Sequence, residues 1–166
     1  MRLNLYGAFQ SWGSDDSSWL SMHRTELEPT KSGIVGMMAC AFGYPRGDER
    51  INELFHKIEL YIDRKNSQYG QVVVDFQTVS SDGNLKKADP RISPAKASVV
   101  EKQYLADARF ILYVVADEET LENIKHALLH PYWPYYLGRK CCIPSGCVFD
   151  GFHEIDTKEG LTCISQ

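Results

Sequence analysis

Residues 131–140 combine three features that recognition of single-stranded RNA requires. The segment reads Pro-Tyr-Trp-Pro-Tyr-Tyr-Leu-Gly-Arg-Lys. Aromatic rings can stack on unpaired bases, a glycine lets the backbone approach the RNA, and cations can bind its phosphates. The candidate RNA-binding residues of this segment are Tyr136, Gly138, Arg139 and Lys140. Most of its four aromatic side chains are expected to cap the end of the hydrophobic core.

A second candidate site lies at the predicted start of a helix, where residues 29–33 read Pro-Thr-Lys-Ser-Gly. Thr30, Lys31 and Ser32 place two hydroxyls and a cation beside backbone N–H groups without intrahelical partners, a setting that favours an anion. A phosphate of RNA could bind there, and an ordinary capped helix is the alternative. Because Thr30 replaces the glycine that precedes the lysine of a P-loop, nucleotide hydrolysis is not expected.

The charge distribution requires any RNA contact to be local. With 22 acidic against 18 basic residues the net charge is −4, which argues against a protein that coats nucleic acid by charge alone. Residues 83–103 nevertheless contain five cations. Four of them are candidate RNA contacts, namely Lys86, Lys87, Arg91 and Lys96, and the fifth is Lys102. A charged hairpin tip that is merely solvated is the alternative.

The sequence contains no metal-ligand spacing, Ser elbow, dinucleotide fingerprint or paired catalytic carboxylates, so no metal, cofactor or catalytic residue is predicted. Adjacent Cys141 and Cys142, with Cys147, do not match the paired C-x-x-C spacing of structural zinc sites. Five cysteines are an odd number in a chain too large to depend on disulfides, so the thiols are expected to be reduced. His126 and His130 lie four residues apart near the end of a predicted helix, where an exposed pair favoured by the helix dipole is the simpler interpretation.

The elements that would position these residues follow from hydrophobic periodicity and turn residues. Strands are predicted at residues 2–9, 58–64, 71–79, 98–104, 109–116 and 147–152. Helices are predicted at residues 31–42 and 49–57, and from residue 117 or 118 to residue 130. Thr30 or Ser32 is expected to cap the first helix and Gly43 to end it. The remaining residues, 154–166, are polar, and no element is predicted there.

The predicted fold is an α+β domain with an arm. The connection between the strands at 71–79 and 98–104 is polar and basic, so these strands are predicted to form a projecting hairpin. Without it, the order is strand, helix, strand, strand, helix, strand, which is the ferredoxin-like (RRM-like) βαββαβ plan. The 166 residues are expected to form a single domain. No apolar run approaches the ~20 residues that span a bilayer, so a cytoplasmic protein is expected.

Several segments, taken in order and with their spacing, resemble the CasD family, a RAMP-type subunit and the fifth of the Cas families, found in type I-E CRISPR Cascade complexes. They are residues 10–13 (QSWG), 24–25 (RT), 29–37 (PTKSGIVGM), 39–43 (ACAFG), 99–110 and 136–144 (YLGRKCCIP). Arg24, in the second of these segments, is the remaining candidate RNA-binding residue.

The resemblance implies a ferredoxin-like body with a β-hairpin thumb at about residues 76–101 and a glycine-rich loop at residues 136–146. It implies that the chain binds the 5′ handle of the CRISPR RNA. The implied protein partners are the adjoining backbone subunit and the large subunit, and the chain is not expected to act as a homo-oligomer. Family members of the I-E type lack nuclease activity. Type I-C relatives cleave the precursor RNA without metal, using Tyr, Lys and His, so an endoribonuclease is the alternative.

Overall fold

The structure is a computed structural model that describes residues 1–13, 22–85, 95–154 and 160–164. In the predicted hairpin arm, side chains are described up to Thr78 and again from Val99. It is an α+β fold with two sheets, consistent with an RRM-like domain. Among the described residues the strands are β1 (Arg2–Tyr6), β2 (Phe9–Gln10), β3 (Met22–His23), β4 (Glu59–Asp63), β5 (Gln71–Leu85), β6 (Ala95–Ala106), β7 (Arg109–Val115) and β8 (Leu161–Cys163). The helices are α1 (Lys31–Phe42), α2 (Glu49–Lys57) and α3 (Glu118–Leu129).

The first sheet has the order β1-β7-β4-β8, with antiparallel neighbours throughout. Its central strand β7 is the apolar run that the sequence predicts, and Phe110, Leu112 and Val114 are fully buried on one face. Residues on alternate positions of a strand share a face. These side chains therefore join one core with α1 and α3, which contribute Met38 and Leu128 among others.

The predicted last strand at residues 147–152 is only partly present. Phe149 forms a single antiparallel bridge with Leu3, and the Asn4 N–H donates to the Val148 carbonyl at 2.9 Å. The fourth strand of the sheet is instead β8, in a segment for which the sequence predicts no element. Three residues give too short an alternation to be detected, and β8 exists because it pairs with β4. The predicted ferredoxin-like order is therefore not confirmed at its last strand.

The second sheet forms the arm and its base. Strands β5 and β6 pair antiparallel from Gln71 opposite Ala106 to Leu85 opposite Ala95, with a register shift after Ser80. Both strands are longer than predicted. At the base, the other edge of β6 pairs with β2 in the antiparallel sense and with β3 in the parallel sense. The arm is thus joined to the body through the two short strands that precede α1.

Local capping determines where α1 begins and ends. The Thr30 hydroxyl accepts a hydrogen bond from the Gly33 N–H at 3.2 Å, so Thr30 rather than Ser32 is the cap. Gly43 ends the helix in the left-handed conformation, with φ of 76°, as glycine commonly does. In the described part of the chain, no helix is long and apolar enough to cross a membrane.

Candidate nucleic-acid interface

The glycine-rich loop, residues 136–146, forms a tight turn anchored in the core. Leu137 and Cys142 are fully buried. The Leu137 N–H donates to the Cys142 carbonyl, and the Cys142 N–H donates to the Arg139 carbonyl, both at 2.8 Å. Tyr136 is half-buried, while Gly138 and Lys140 are exposed. The turn therefore presents Lys140 to solvent from a fixed base.

Gly138 packs against the chain's own backbone. Its φ is +96°, and a β-carbon at this position would lie 1.6 Å from the Ser11 carbonyl oxygen. The Ser11 N–H donates to the Leu137 carbonyl at 3.0 Å, which holds the two segments together. The close approach that requires glycine here is to Ser11, and an approach of Gly138 to RNA stays a prediction.

Arg139 joins the glycine-rich loop to β3 and β6. One terminal nitrogen, Nη1, donates to the Gln103 carbonyl at 2.8 Å. The other, Nη2, donates to the His23 carbonyl at 3.0 Å and to the Arg24 carbonyl at 3.4 Å. The sequence predicts Arg139 as a phosphate ligand, but nothing in the pattern of residues 131–140 indicates these backbone contacts.

Tyr104 lies against the Arg139 guanidinium. The guanidinium carbon is 4.9 Å from the centre of the Tyr104 ring, a cation–π contact. The Cys141 thiol donates to the Tyr104 hydroxyl at 3.5 Å. Burial and the hydrogen bond from Cys141 raise the pKa of Tyr104, while Arg139 acts in the opposite direction. The phenol is therefore neutral at physiological pH.

The aromatic residues that precede the loop differ in environment. Tyr135 packs against the core, and its hydroxyl donates to the Leu128 carbonyl at 3.1 Å. Tyr132 is 73% exposed and Trp133 is 40% exposed. The prediction that most of these rings cap the core is thus wrong for Tyr132 and Trp133. Tyr132 rests instead on Gly43 at the end of α1, where a side chain would collide with its ring.

The start of α1 lines a cleft of about 540 Å³. The Ser32 hydroxyl lies 3.4 Å from the Thr30 hydroxyl, and both residues line this cleft. The Lys31 ammonium is placed differently, 4.4 Å from the centre of the Phe55 ring on α2. Of the three residues predicted here, Thr30 and Ser32 face one space, and Lys31 contacts a neighbouring helix.

The Glu28 carboxylate, which no sequence pattern indicates as a site residue, shares the cleft with the start of α1. Arg64 donates to both Glu28 oxygens, at 2.8 and 2.9 Å, and the Tyr69 hydroxyl also donates to Glu28. The hydrogen bond from Arg64 is the main cause that lowers the pKa of Glu28. Because Glu28 and Arg64 lie 36 residues apart, no local pattern reveals the pair.

Trp12 links the first two predicted sites. Its ring is fully buried and lies against Gly33 in α1, where a β-carbon would be 2.9 Å from the ring. The backbone N–H of Trp12 donates to the Thr25 hydroxyl at 2.8 Å. Thr25 follows Arg24, and the Arg24 carbonyl accepts a hydrogen bond from Arg139. The glycine-rich loop, the exposed Arg24 and the start of α1 therefore form one connected framework.

The remaining candidate RNA contacts belong to the arm. Lys86, Lys87 and Arg91 lie outside the described residues, and the side chain of Lys96 on β6 is also outside them. Lys102, nearer the base, donates to the Gln77 amide oxygen at 2.8 Å.

The thiols and other possible ligands are dispersed. Within residues 1–13, 22–85, 95–154 and 160–164, no group of three or more His, Cys, Asp or Glu side chains could hold a metal ion. The cysteines are free thiols: Cys40, Cys141, Cys142, Cys147 and Cys163.

Comparison with known proteins identifies the family. Residues 1–162 match the family model described as CRISPR-associated protein (Cas_Cas5). The chain therefore belongs to the Cas5 family of CRISPR-associated proteins, which confirms the resemblance found in the sequence. No curated protein matches.

Several solved structures are similar to the chain, among them these two. One, a chain of a "CRISPR RNA-guided surveillance complex", has 33% identity and a TM-score of 0.68 over 89% of this chain. The other, "Crystal structure of Cas protein", has 27% identity and a TM-score of 0.63 over 96% of this chain. The match spans 60% of the first solved chain and 68% of the second.

Proposed function

We propose that this chain is a non-catalytic subunit of a type I-E CRISPR Cascade surveillance complex, acting in the cytoplasm in antiviral defence. In this role it binds the 5′ handle of the CRISPR RNA and helps to assemble the backbone of the complex. The observation that carries the proposal is the match, at 33% identity over 89% of the chain, to a chain of an RNA-guided surveillance complex. Its partners are accordingly the guide RNA, the backbone subunits and the large subunit.

The geometry of the glycine-rich loop supports RNA binding at this surface. Arg24 and Lys140 are exposed and belong to the two segments that Arg139 joins. Two cations on one framework give a local phosphate-binding surface in a chain whose net charge is −4. Such contacts release counterions from the RNA, so the affinity should fall as the salt concentration rises.

Binding measurements with two guide RNAs test the proposal. The first RNA carries the 5′ handle, and the second lacks it but keeps the same spacer. The proposal predicts tighter binding of the first RNA. Equal affinity for the two RNAs would refute handle recognition, even if both RNAs bind tightly.

A metal-independent endoribonuclease is the second candidate function. The observation that favours it is that His23 lies opposite Lys102 in the register of β3 and β6. Tyr104 follows two residues later on the same face of β6. This brings a Tyr, a Lys and a His to one face, the residue types that type I-C relatives use. Against it, Tyr104 is only 6% exposed and its pKa is raised by burial.

Incubation with precursor repeat RNA in EDTA distinguishes the two functions. The non-catalytic proposal predicts that the RNA stays intact. Site-specific cleavage by the wild-type chain, lost in His23→Ala and Lys102→Ala, would establish the endoribonuclease instead.

A further inference from the structure

We propose that Arg139 is a positioning residue, which holds the RNA-binding side chains of this surface in place and does not itself bind a phosphate. Its guanidinium fixes the glycine-rich loop on β3 and β6 and so sets the positions of Lys140 and Arg24, which contact the guide RNA. The inference rests on the proposed function, because it concerns how the same surface binds the same RNA.

The donors of Arg139 are directed at the chain's own backbone. A guanidinium has five N–H donors, and phosphate recognition by arginine commonly uses a fork of two parallel N–H groups. Here both terminal nitrogens donate to carbonyl oxygens, those of Gln103, His23 and Arg24. The Tyr104 ring lies against the guanidinium as well. A phosphate that approached the two terminal nitrogens of this half-buried guanidinium would have to displace these backbone contacts.

The same contacts control the two exposed cations. Lys140 follows Arg139 in a turn whose base is held by the buried Leu137 and by Gly138 packed on Ser11. The Arg24 carbonyl is itself an acceptor of the guanidinium. Arg139 therefore connects the loop that presents Lys140 to the segment that presents Arg24.

These contacts at residue 139 require arginine specifically. Its planar guanidinium reaches carbonyls on two strands and stacks on a ring at the same time, which the single ammonium of lysine cannot reproduce. Lysine does bind phosphates well as a point charge. A positioning arginine and a phosphate-binding arginine should therefore differ in the salt slope of Arg139→Lys, because a lysine that keeps a phosphate contact also keeps its counterion release.

The experiment measures the affinity of the full chain for handle-bearing guide RNA at several salt concentrations. The variants are Arg139→Lys and Arg139→Ala, with Lys140→Arg and Lys140→Ala as matched controls and the double alanine variant R139A/K140A. We expect both Arg139 variants to bind about tenfold more weakly than wild type, and Lys140→Arg to keep the wild-type salt slope because it keeps the phosphate-binding charge. Arg139→Lys should also reduce the salt slope although it keeps the charge, and Lys140→Ala should add little in the Arg139→Ala background.

Two results would overturn the inference and leave the proposed function standing. One is wild-type affinity and salt slope in Arg139→Lys. The other is multiplication of the separate effects of Arg139→Ala and Lys140→Ala, since independent phosphate contacts add in free energy. Failure of the wild-type chain to prefer handle-bearing RNA would overturn the proposed function and the inference together. Thermal unfolding of each variant is recorded, and where Arg139→Ala does not fold, the comparison of Arg139→Lys with Lys140→Arg decides.

Discussion

Gly138 and Ser11 lie so close that a β-carbon on Gly138 would be 1.6 Å from the Ser11 carbonyl oxygen. The contact joins the glycine-rich loop to the segment after β2, which continues to Trp12. Because Trp12 packs on the start of α1, a change at Gly138 should disturb both candidate sites.

Gly138→Ala is expected to lower the free energy of unfolding by about 3 kcal/mol, since alanine meets both a positive φ and a backbone clash. Urea unfolding measures this loss. Gly36→Ala is the matched control, because Gly36 lies in α1 and no described atom outside its own helix backbone is within 4 Å of an added β-carbon. Its stability should rise by about 0.5–1 kcal/mol, the usual gain for alanine over glycine in a helix. Equal effects of the two substitutions would refute the packing of Gly138 on Ser11.

Thr30→Ala should cost about 1 kcal/mol of stability, because it removes the side-chain acceptor for the Gly33 N–H. Ser32→Ala is the control, since within the described part of the chain the exposed Ser32 hydroxyl hydrogen-bonds only to the Thr30 hydroxyl. Its effect on thermal unfolding should be clearly smaller. A larger loss in Ser32→Ala would mean that Ser32, not Thr30, caps α1.

The Glu28–Arg64 pair predicts a pH-dependent contribution to stability. The pKa of Glu28 is lowered from 4.5, chiefly by the hydrogen bond from Arg64. A carboxyl group whose folded pKa lies below its unfolded pKa stabilises the fold above the unfolded value, and this contribution is lost as the pH falls through the folded value. Glu28→Gln should therefore be less stable than wild type at neutral pH, with the difference shrinking on acidification below 4.5.

Urea unfolding of the two proteins across this pH range measures the effect. Arg64→Gln supplies the control, because in that background the pKa of Glu28 loses its main cause of depression and Glu28→Gln should change little. A stability difference between wild type and Glu28→Gln that grows on acidification would contradict the assignment.

Adjacent Cys141 and Cys142 should differ sharply in reactivity. Cys142 is fully buried, and burial with the neighbouring Cys141 raises its pKa to about 12. Cys141 is exposed. Because the thiolate is the nucleophile, iodoacetamide should alkylate Cys141 in the native protein and reach Cys142 only after unfolding. Mass spectrometry of tryptic fragments reads out both sites, and comparable native labelling of the two thiols would show that the loop is not anchored as described.

Local signals made the helices predictable. The bounds of α1 follow from Thr30 and Gly43, whose capping roles depend on neighbouring backbone only. The apolar strand β7 is equally evident, because its burial on the core requires a continuous hydrophobic run. The position of Lys31 over Phe55 was not predictable, since it depends on how α2 packs beside α1.

The candidate site was predictable in residue type but not in role. The sequence indicates that Gly138 and Arg139 matter, because a glycine and a cation beside aromatic residues are typical of RNA-binding loops. It cannot show that both contact the chain's own backbone, because Ser11 and Gln103 reach them only through the fold. Long-range contacts of this kind leave no periodic pattern in the sequence.

Competition binding tests the central claim most directly. The chain is saturated with a labelled guide RNA, and unlabelled oligonucleotides are added that contain either the 5′ handle alone or a spacer segment of equal length. If the chain recognises the handle, the handle oligonucleotide displaces the guide at far lower concentration than the spacer oligonucleotide. Equal displacement by the two oligonucleotides would contradict the account.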